Sequence, residues 1–291
     1  MMDWFIAYVE SVMRLAAPLM FAAMGGLISE RAGLANIALE GKLLVSAFFA
    51  AAVAAWTGSA ELGLFAGILS GALSGWIFGA STVWLKADHI VMGTAFNLLV
   101  VGVIPTLGKA WFGSSGSTPA LGSEARIQAG IGFFVAGVFL VFVLSEALRR
   151  TRWGLRVHSA GESPDALLVQ GVNPRRVRIG AACVAGALAG AGGVVLSLVQ
   201  GSGYVRDMAG GRGYLALAAI IFGAWKPFPT LIACLIFAAA DSAQMLLQGK
   251  SIFDVSVPAS LIQTLPFLAT LAILALRRAR VSAPRAINQA L

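Results

Sequence analysis

Charged residues are scarce in this sequence, and their scarcity excludes an ordinary water-soluble fold. Of the 291 residues 12% are charged and 58% are hydrophobic, and the mean hydropathy is +0.85. Soluble domains carry about twice that charged fraction, roughly 25%. A water-soluble core of this size could not bury so much apolar surface. Most of the chain is therefore expected to lie in lipid.

Motifs that carry chemistry are also missing. The sequence contains no HExxH, GxSxG or CxxC motif, so the common metal, nucleophile and redox sites are not expected. The GKS at 249–251 is not a phosphate-binding loop, because Gln244 stands where that loop needs its first glycine. The two cysteines, Cys183 and Cys234, lie in apolar runs without metal-ligand spacing. We expect neither enzymatic activity nor a cofactor in this chain.

Long apolar segments are what the sequence does have. They are apolar on all faces, which favours helices over the alternating pattern of a β-barrel, and the length accommodates about eight to ten spans of roughly 20 residues. We predict an all-α polytopic transmembrane bundle, one domain over 1–291. Nine spans are expected, at 11–28, 36–57, 62–85, 90–108, 129–148, 179–199, 213–225, 229–247 and 258–276. The seventh is too short to cross alone, which predicts a re-entrant or broken helix unless its ends are extended.

Two arginine-rich segments predict the orientation. Residues 149–178 hold seven arginines and the tail 277–291 holds four, and cytoplasmic loops collect such residues. The formal charge of +8 is interpreted in the same way and not as a sign of nucleic-acid binding. With both segments in the cytoplasm, 213–225 and 229–247 must be two passes that turn at 226–229. The N-terminus then lies in the periplasm.

A faint internal repeat accompanies these spans. A glycine pair at 25–26 ends the first span and is followed by a polar hairpin and a new apolar run. A second pair at 192–193 lies in the sixth span and is followed by a longer polar stretch. On the predicted topology the two units have opposite orientations, as inverted repeats do in many transporters. The alternative is that a composition rich in glycine and alanine produces the match by itself.

Polar residues at membrane depth are costly and mark candidate substrate contacts. Asn36 and Glu40 are four residues apart, which places them on one face of a helix. Asn97 lies in the fourth span, and Asp241 and Gln244 lie together in the eighth. We predict that these five residues line a substrate path. The alternatives are structural: helix packing near the interface for Glu40, and an interhelical hydrogen bond for Asn97.

Other polar residues near the spans have simpler interpretations. Asp241 needs a partner, and Lys226, Lys250 or a polar cavity would serve. His89 is interpreted as interfacial rather than as a ligand or proton relay. The glycine-rich run 201–214 is expected to form a loop or gating hairpin outside the lipid.

The basic segment 149–178 contains a short predicted helix over 164–170. Its start and stop signals follow the usual capping and dipole preferences. They are Ser163, Pro164 and Asp165 at the start, and Gly171, Asn173 and Pro174 at the end. The helix would present Ala166, Leu167 and Val169 to water, which favours a docking element. The alternative is a helix that lies on the lipid surface.

Three segments resemble the permease subunits of ABC importers, in the superfamily for branched-chain amino acids, ribose and nucleosides. SERAGLANIALEG at 29–41 is similar to the family's SERSGVxNIALEG, and GESPDALLVQGVNP at 161–174 is similar to its GExPxAAxxxGINV. GGRGYLALAAIIFGAWKP at 210–227 is similar to its GRGFIALAALIFGxWxP. The resemblance covers essentially the whole chain. Two residues depart from the pattern, Val172 where the family usually has Ile and Lys42 where it usually has Met.

This resemblance implies a function and a set of partners. The chain looks closest to the shorter permease of simple-sugar and nucleoside systems of the guanosine type, which works by alternating access in the inner membrane. Its implied partners are an ABC ATPase subunit, a different and longer second permease, and a periplasmic or lipoprotein substrate-binding protein. The helix at 164–170 would be the coupling helix that docks on the ATPase. The residues that match this coupling motif are Gly161, Glu162, Ser163, Pro164, Asp165, Ala166, Gly171 and Asn173.

Two other hypotheses are consistent with the residues alone. One is an ATP-independent secondary transporter or channel that uses Glu40, Asp241 or His89 for proton coupling. The other is a structural or assembly protein of the membrane that has no transport path.

Overall fold

The fold is an α-helical bundle, seen in a computed structural model that describes residues 2–247, 251–252, 255–256 and 283–288. The helices are α1 Met2–Arg31, α2 Leu39–Thr57, α3 Ala60–Val83, α4 His89–Phe112, α5 Gly130–Arg150, α6 Arg152–Glu162, α7 Pro164–Val169, α8 Pro174–Val194, α9 Arg212–Phe222 and α10 Pro227–Leu247. A π-helical turn, Val195–Gln200, continues α8. Two short strands, β1 Ser251–Ile252 and β2 Val255–Ser256, pair antiparallel.

The predicted transmembrane helical bundle is confirmed. Seven of the described helices are long and apolar enough to cross a membrane: α1 to α5, α8 with its π turn, and α10. The helix α9, with 11 residues, is too short, because it is about 16 Å long at 1.5 Å per residue and the hydrocarbon layer is about 30 Å thick. The predicted ninth span, 258–276, lies outside the described residues.

Local sequence signals set several helix ends. The carboxylate of Asp88 accepts from the backbone N–H of Ile90 and of Val91, at 2.9 and 3.0 Å, and so caps α4. The helices α2 and α4 both end at glycines with a left-handed backbone, Gly58 and Gly113. These ends fall within a few residues of the predicted ones.

Small residues allow α3 and α8 to pack with their backbones in contact. A methyl group at Gly75 would collide with the carbonyl oxygen of Ala182, and one at Gly186 would collide with that of Gly71. Close approach through small side chains is a common way to join helices in lipid. The abundance of glycine and alanine in the sequence therefore has a direct packing use.

The bundle has a basic end, defined here as the end that carries α6 and α7. The helix α1 finishes there, since Gly161 at the end of α6 packs against the backbone of Arg31 and Gly33. The segment 283–288 lies there too, because the Ala286 N–H donates to the Gly161 carbonyl at 2.8 Å. The predicted placement of the segment 149–178 and the tail on one side agrees with this geometry.

Two non-helical connections lead into helices that begin inside the bundle, α2 and α9. Residues 32–38 join α1 to α2, and residues 201–211 join the π turn to α9. The helix α1 runs toward the basic end and α8 runs away from it. The two units, each a long helix followed by a non-helical connection and a second helix, therefore have opposite orientations. Irregular backbone at membrane depth is tolerated where protein surrounds it.

The connection 201–211 and α9 together make one passage through the bundle. At the end opposite the basic end, the Tyr204 N–H donates to the Thr118 hydroxyl at 2.9 Å. Beyond α9, the Trp225 indole N–H donates to a Glu30 carboxylate oxygen at 2.6 Å, close to the basic end. The predicted broken helix agrees with the structure. The predicted turn at 226–229 lies three residues too late, because the chain turns at 223–226 and α10 begins at Pro227.

Candidate functional site

The carboxylate of Glu40 holds the N-terminus of the half-length helix α9. One oxygen accepts from the Gly211 N–H at 2.8 Å and the other from the Gly213 N–H at 2.7 Å. These N–H groups open the helix and have no partner within it, and the helix dipole favours a negative charge at that position. A Cβ at Gly213 would collide with the Glu40 backbone, so a glycine is needed for this close approach.

Asn97 joins the same region from α4. Its side-chain oxygen accepts from the Gly41 N–H at 2.9 Å, and its amide nitrogen donates to the Ile37 carbonyl at 3.0 Å and to the Tyr214 hydroxyl at 3.1 Å. Asn97 is eight residues along α4, which places it about 12 Å from the start of that helix. The contacts of Glu40 and Asn97 therefore lie well inside the bundle.

Arg212 is a positive charge near Asp241, and its guanidinium donates to the Met208 carbonyl at 3.1 Å and to the Ala209 carbonyl at 3.3 Å. Arg212 interacts electrostatically with both Asp241 and Glu40, and it lies in the first turn of α9. The predicted partner Lys226 lies at the opposite end of α10 from Asp241, and Lys250 lies outside the described residues. The expected loop outside the lipid is wrong for Arg212 because the chain re-enters the bundle before α9 begins.

We call Glu40, Asn97, Arg212, Tyr214 and Asp241 the polar cluster. Tyr214 was not among the sequence-predicted residues, although it follows two glycines and an arginine at the start of a short apolar helix. Its side chain is 49% exposed on the surface of the chain. Gln244 lies one turn beyond Asp241 on α10 and is half-buried. Tyr214 is thus the exposed member of the polar cluster.

Asn36 lies apart from the polar cluster. It is fully buried, donates to the Ser29 hydroxyl at 2.9 Å and accepts from the Lys42 ammonium at 2.7 Å. The predicted helix face shared with Glu40 was wrong, because α2 begins at Leu39 and Asn36 belongs to the connection before it. The Lys42 ammonium also lies 4.3 Å from the centre of the Phe78 ring of α3, so the charged group lies between packed helices.

His89 is buried within the protein at the start of α4. It is 2% exposed, and its Nδ1 accepts from the Ala35 N–H at 3.3 Å. This contact fixes the connection 32–38 against the start of α4. The interpretation of His89 as a residue of the membrane interface stays a prediction.

The short helix predicted over 164–170 is present as α7. Ser163 occupies its N-cap position, but its side chain makes no capping hydrogen bond there. Pro164 is its first residue, and Gly171 follows its end with φ of +72°. Leu167 is 2% exposed, while Leu168 and Val169 are 59% and 89% exposed. The expected exposure of Leu167 was wrong, because that residue packs inward and its neighbour Leu168 takes the outer position.

The flanking residues of α7 are held by neighbouring helices. A methyl group at Gly161 would collide with the Arg31 carbonyl, and Glu162 interacts electrostatically with Arg31. Asn173 caps α8, since its side-chain oxygen accepts from the Arg175 N–H at 2.9 Å. Asp165 and Ala166 are exposed. The helix α6 was not predicted from the sequence. Its last residues, Gly161 and Glu162, lie against the end of α1 and lead into α7.

Two titrating groups outside the spanning helices are perturbed. The pKa of Asp88 is lowered, chiefly by the Val91 N–H and then by the Asn288 amide. Burial raises the pKa of Tyr204 to about 12, so its phenol stays neutral. Its ring packs edge-on against Phe48 at 5.4 Å between centres.

The apolar cleft between α2, α3 and α4 is separate from the polar cluster. It has a volume of about 410 Å³ and is lined mainly by aliphatic and aromatic side chains. None of the five residues of the polar cluster lines it. This cleft therefore offers apolar contacts and few polar groups.

Comparison with known proteins places the chain among transport proteins. The nucleoside ABC transporter permease protein NupC of Lactococcus lactis is 30% identical, over 96% of this chain and 94% of its own length. The guanosine ABC transporter permease protein NupQ of Bacillus subtilis is 29% identical over the same shares. A putative glucose ABC transporter permease protein of Haloferax volcanii is 28% identical, over 94% of this chain and 92% of its own. No solved structure matches.

A family model agrees with these relatives over nearly the whole chain. The model describes the permease component of branched-chain amino acid transport systems, and it matches residues 8–274. The match includes α1 to α10 apart from the first residues of α1, and thus the polar cluster and α7. The chain belongs to this family of ABC transporter permease components.

Proposed function

We propose that this chain is the permease of an ATP-driven importer that carries a nucleoside or simple sugar across the inner membrane. The observation that carries the proposal is the polar cluster, in which an interrupted helix begins inside the bundle and is held by Glu40. Transporters commonly place their substrate sites beside such broken helices near mid-membrane. The names of the similar permeases support the choice of substrate.

The charges of the polar cluster disfavour a negatively charged substrate. Glu40 is satisfied by two backbone N–H groups, and Arg212 faces both Glu40 and Asp241. The single guanidinium is shared by two carboxylates, so no cation in the polar cluster is left to pair with an anionic solute, and burying such an unpaired charge is costly. The exposed ring of Tyr214 offers a flat apolar face and a hydroxyl, which suits a nucleobase or a sugar.

The helix α7 is proposed as the coupling helix that meets the ATPase subunit. It is short, it stands on the basic end, and its outward side chains Leu168 and Val169 are apolar and exposed. The residues Gly161 and Glu162 fix its base against α1. The segment 149–178 and the tail 277–291 would then lie in the cytoplasm, with the N-terminus in the periplasm.

Two further partners complete the proposed importer. The polar cluster exposes Tyr214 on the surface of the chain, so a second permease, different and longer, would supply the other wall of the path. A periplasmic or lipoprotein binding protein would deliver the substrate at the end opposite α7. In this arrangement ATP-driven closure of the ATPase subunits moves α7 and switches the path from outward to inward access.

Substitution of the exposed side chain of Val169 tests the coupling role. Val169→Asp places a charge in the proposed ATPase contact, and we expect the ATPase subunit to co-purify at a yield at least about tenfold lower, which is about 1.4 kcal/mol. Val205→Asp is the matched control, since Val205 is 59% exposed and lies at the opposite end. Equal ATPase yields from both variants would contradict the role of α7.

A further inference from the structure

The segment 283–288 forms backbone hydrogen bonds with two parts of the basic end. The Ala286 N–H donates to the Gly161 carbonyl at 2.8 Å, and the Asn288 N–H donates to the Gly33 carbonyl at 3.2 Å. Ala286 is 2% exposed. Ala286 is therefore held between the end of α6 on one side and the connection 32–38 on the other, whereas Ala283, Arg285 and Asn288 are exposed.

Side chains tie the same segment to two spanning helices. The Arg178 guanidinium of α8 donates to the Ala286 carbonyl at 3.1 Å and to the Ala160 carbonyl at 3.2 Å. The Asn288 side-chain oxygen accepts from the His89 N–H, and its amide nitrogen donates to an Asp88 carboxylate oxygen, both at 3.3 Å. The side-chain amide of Asn288 thus accepts one hydrogen bond from the start of α4 and donates another to it.

These contacts form a continuous route from α7 to the polar cluster. Gly161 is three residues before α7, so the Ala286 contact lies at the base of the proposed coupling helix. The start of α4 is eight residues from Asn97, which holds Gly41 and Tyr214. The connection 32–38 leads directly into α2 and Glu40. A rigid chain of hydrogen bonds of this kind can carry coupling between two sites when the elements it joins have two arrangements.

We propose that the segment 283–288 transmits the motion of α7 to α4 and to the connection 32–38, and that Asn288 is its positioning residue. The proposal rests on the coupling role of α7 proposed above. Without the Asn288 contact, α7 could still dock on the ATPase, but its displacement would no longer move α4 in step. ATP hydrolysis and solute movement would then be separated.

The substitution Asn288→Asp tests this transmission in the assembled importer reconstituted in proteoliposomes. The new carboxylate faces that of Asp88, so a hydrogen bond is replaced by repulsion. We expect the amount of nucleoside transported per ATP hydrolysed to fall about tenfold, equivalent to a coupling free energy of about 1.4 kcal/mol. The ATPase should still co-purify at the wild-type yield, because α7 itself is unchanged.

Reversal of the pair separates transmission from simple loss of folding. In the double variant Asp88→Asn with Asn288→Asp, a donor amide again meets a carboxylate, and the asparagine can still cap α4. We expect the transport-to-hydrolysis ratio to return to within about twofold of wild type, as for a directly coupled pair. Ala283→Ser, at an exposed position of the same segment, is the control and should leave the ratio unchanged.

Two results would overturn the proposal. One is a wild-type ratio for Asn288→Asp, and the other is a double variant that is as defective as the single one. A wild-type complex whose uptake does not respond to ATP at all would instead contradict the proposed importer function, and it would be seen before any variant is compared.

Discussion

Glu40 joins two segments that are 171 residues apart in the chain. A capping residue usually serves its own helix, whereas this carboxylate serves the first turn of α9 from the first turn of α2. The arrangement fixes the depth at which α9 begins. It also places two carboxylates, Glu40 and Asp241, and one guanidinium, Arg212, in the same region as the exposed ring of Tyr214.

Replacement of Glu40 by glutamine tests this hold on α9. Glu40→Gln keeps the size but turns one acceptor oxygen into an NH2 group, which faces an N–H donor. We expect a cost of about 1–3 kcal/mol, measured as a lower thermal unfolding midpoint in detergent, together with reduced uptake. Glu61→Gln is the control, since Glu61 is exposed in the first turn of α3, and equal midpoints for both variants would contradict the role of Glu40.

The buried pair of Asn36 and Lys42 gives a second prediction at this scale. Asn36→Leu leaves the Lys42 ammonium without its amide partner, and we expect a loss of roughly 3 kcal/mol in unfolding free energy. Lys42→Met removes the buried charge and fills similar volume, so its cost should be about 1 kcal/mol or less. Thermal unfolding of both purified variants provides the comparison. A larger loss for Lys42→Met than for Asn36→Leu would show that the ammonium stabilises the bundle.

Individual polar residues were only partly predictable from the sequence. Glu40 and Asn97 were correctly expected inside the bundle, because an apolar run makes any polar residue conspicuous. The direction in which the Asn36 side chain points was not predictable. Residues four apart share a face only within a helix, and the chain at 32–38 is not helical. Gly33, with φ of +92°, was the available signal for that break. Tyr214 was overlooked because a tyrosine in an apolar run resembles ordinary core.

At the scale of elements, the interrupted helices depend on close packing of α8 against α3. Gly186 and Gly75 allow the two backbones to come into contact. This packing holds α8 against α3, and the connection 201–211 follows α8 and its π turn. The length of α9 was evident from the sequence. Its attachment to α2 was not, because that contact depends on how distant segments fold together. The helix α6 was missed since it lies within the arginine-rich segment 149–178, which was interpreted only as a marker of orientation.

Two glycines of α8 provide a matched test of this packing. A methyl group at Gly186 would collide with the Gly71 carbonyl, whereas one at Gly180 meets open space. We expect Gly186→Ala to lower the unfolding free energy by about 1–3 kcal/mol. Gly180→Ala should raise it by up to about 1 kcal/mol through helix propensity. Thermal unfolding in detergent measures both, and a stable Gly186→Ala protein would show that α3 and α8 are not in backbone contact.

At the scale of the whole molecule, the account joins the polar cluster to a docking helix at the basic end. The arginine distribution predicted which segments share that end, and the contacts of Gly161 with Arg31 and Ala286 agree. The family match extends over both regions. In the proposed importer, a second permease would cover the exposed side of Tyr214, and the ATPase subunit would cover Leu168 and Val169 of α7.

The central claim is that ATP hydrolysis in a partner subunit drives solute through this chain. The most direct measurement is uptake of a radiolabelled nucleoside by proteoliposomes that contain the assembled importer, with ATP on the α7 side and a proton-gradient uncoupler present. The account predicts uptake that requires ATP, persists with the uncoupler and disappears with Val169→Asp. Uptake that the uncoupler abolishes while ATP remains would contradict the account and assign the chain to proton-coupled transport.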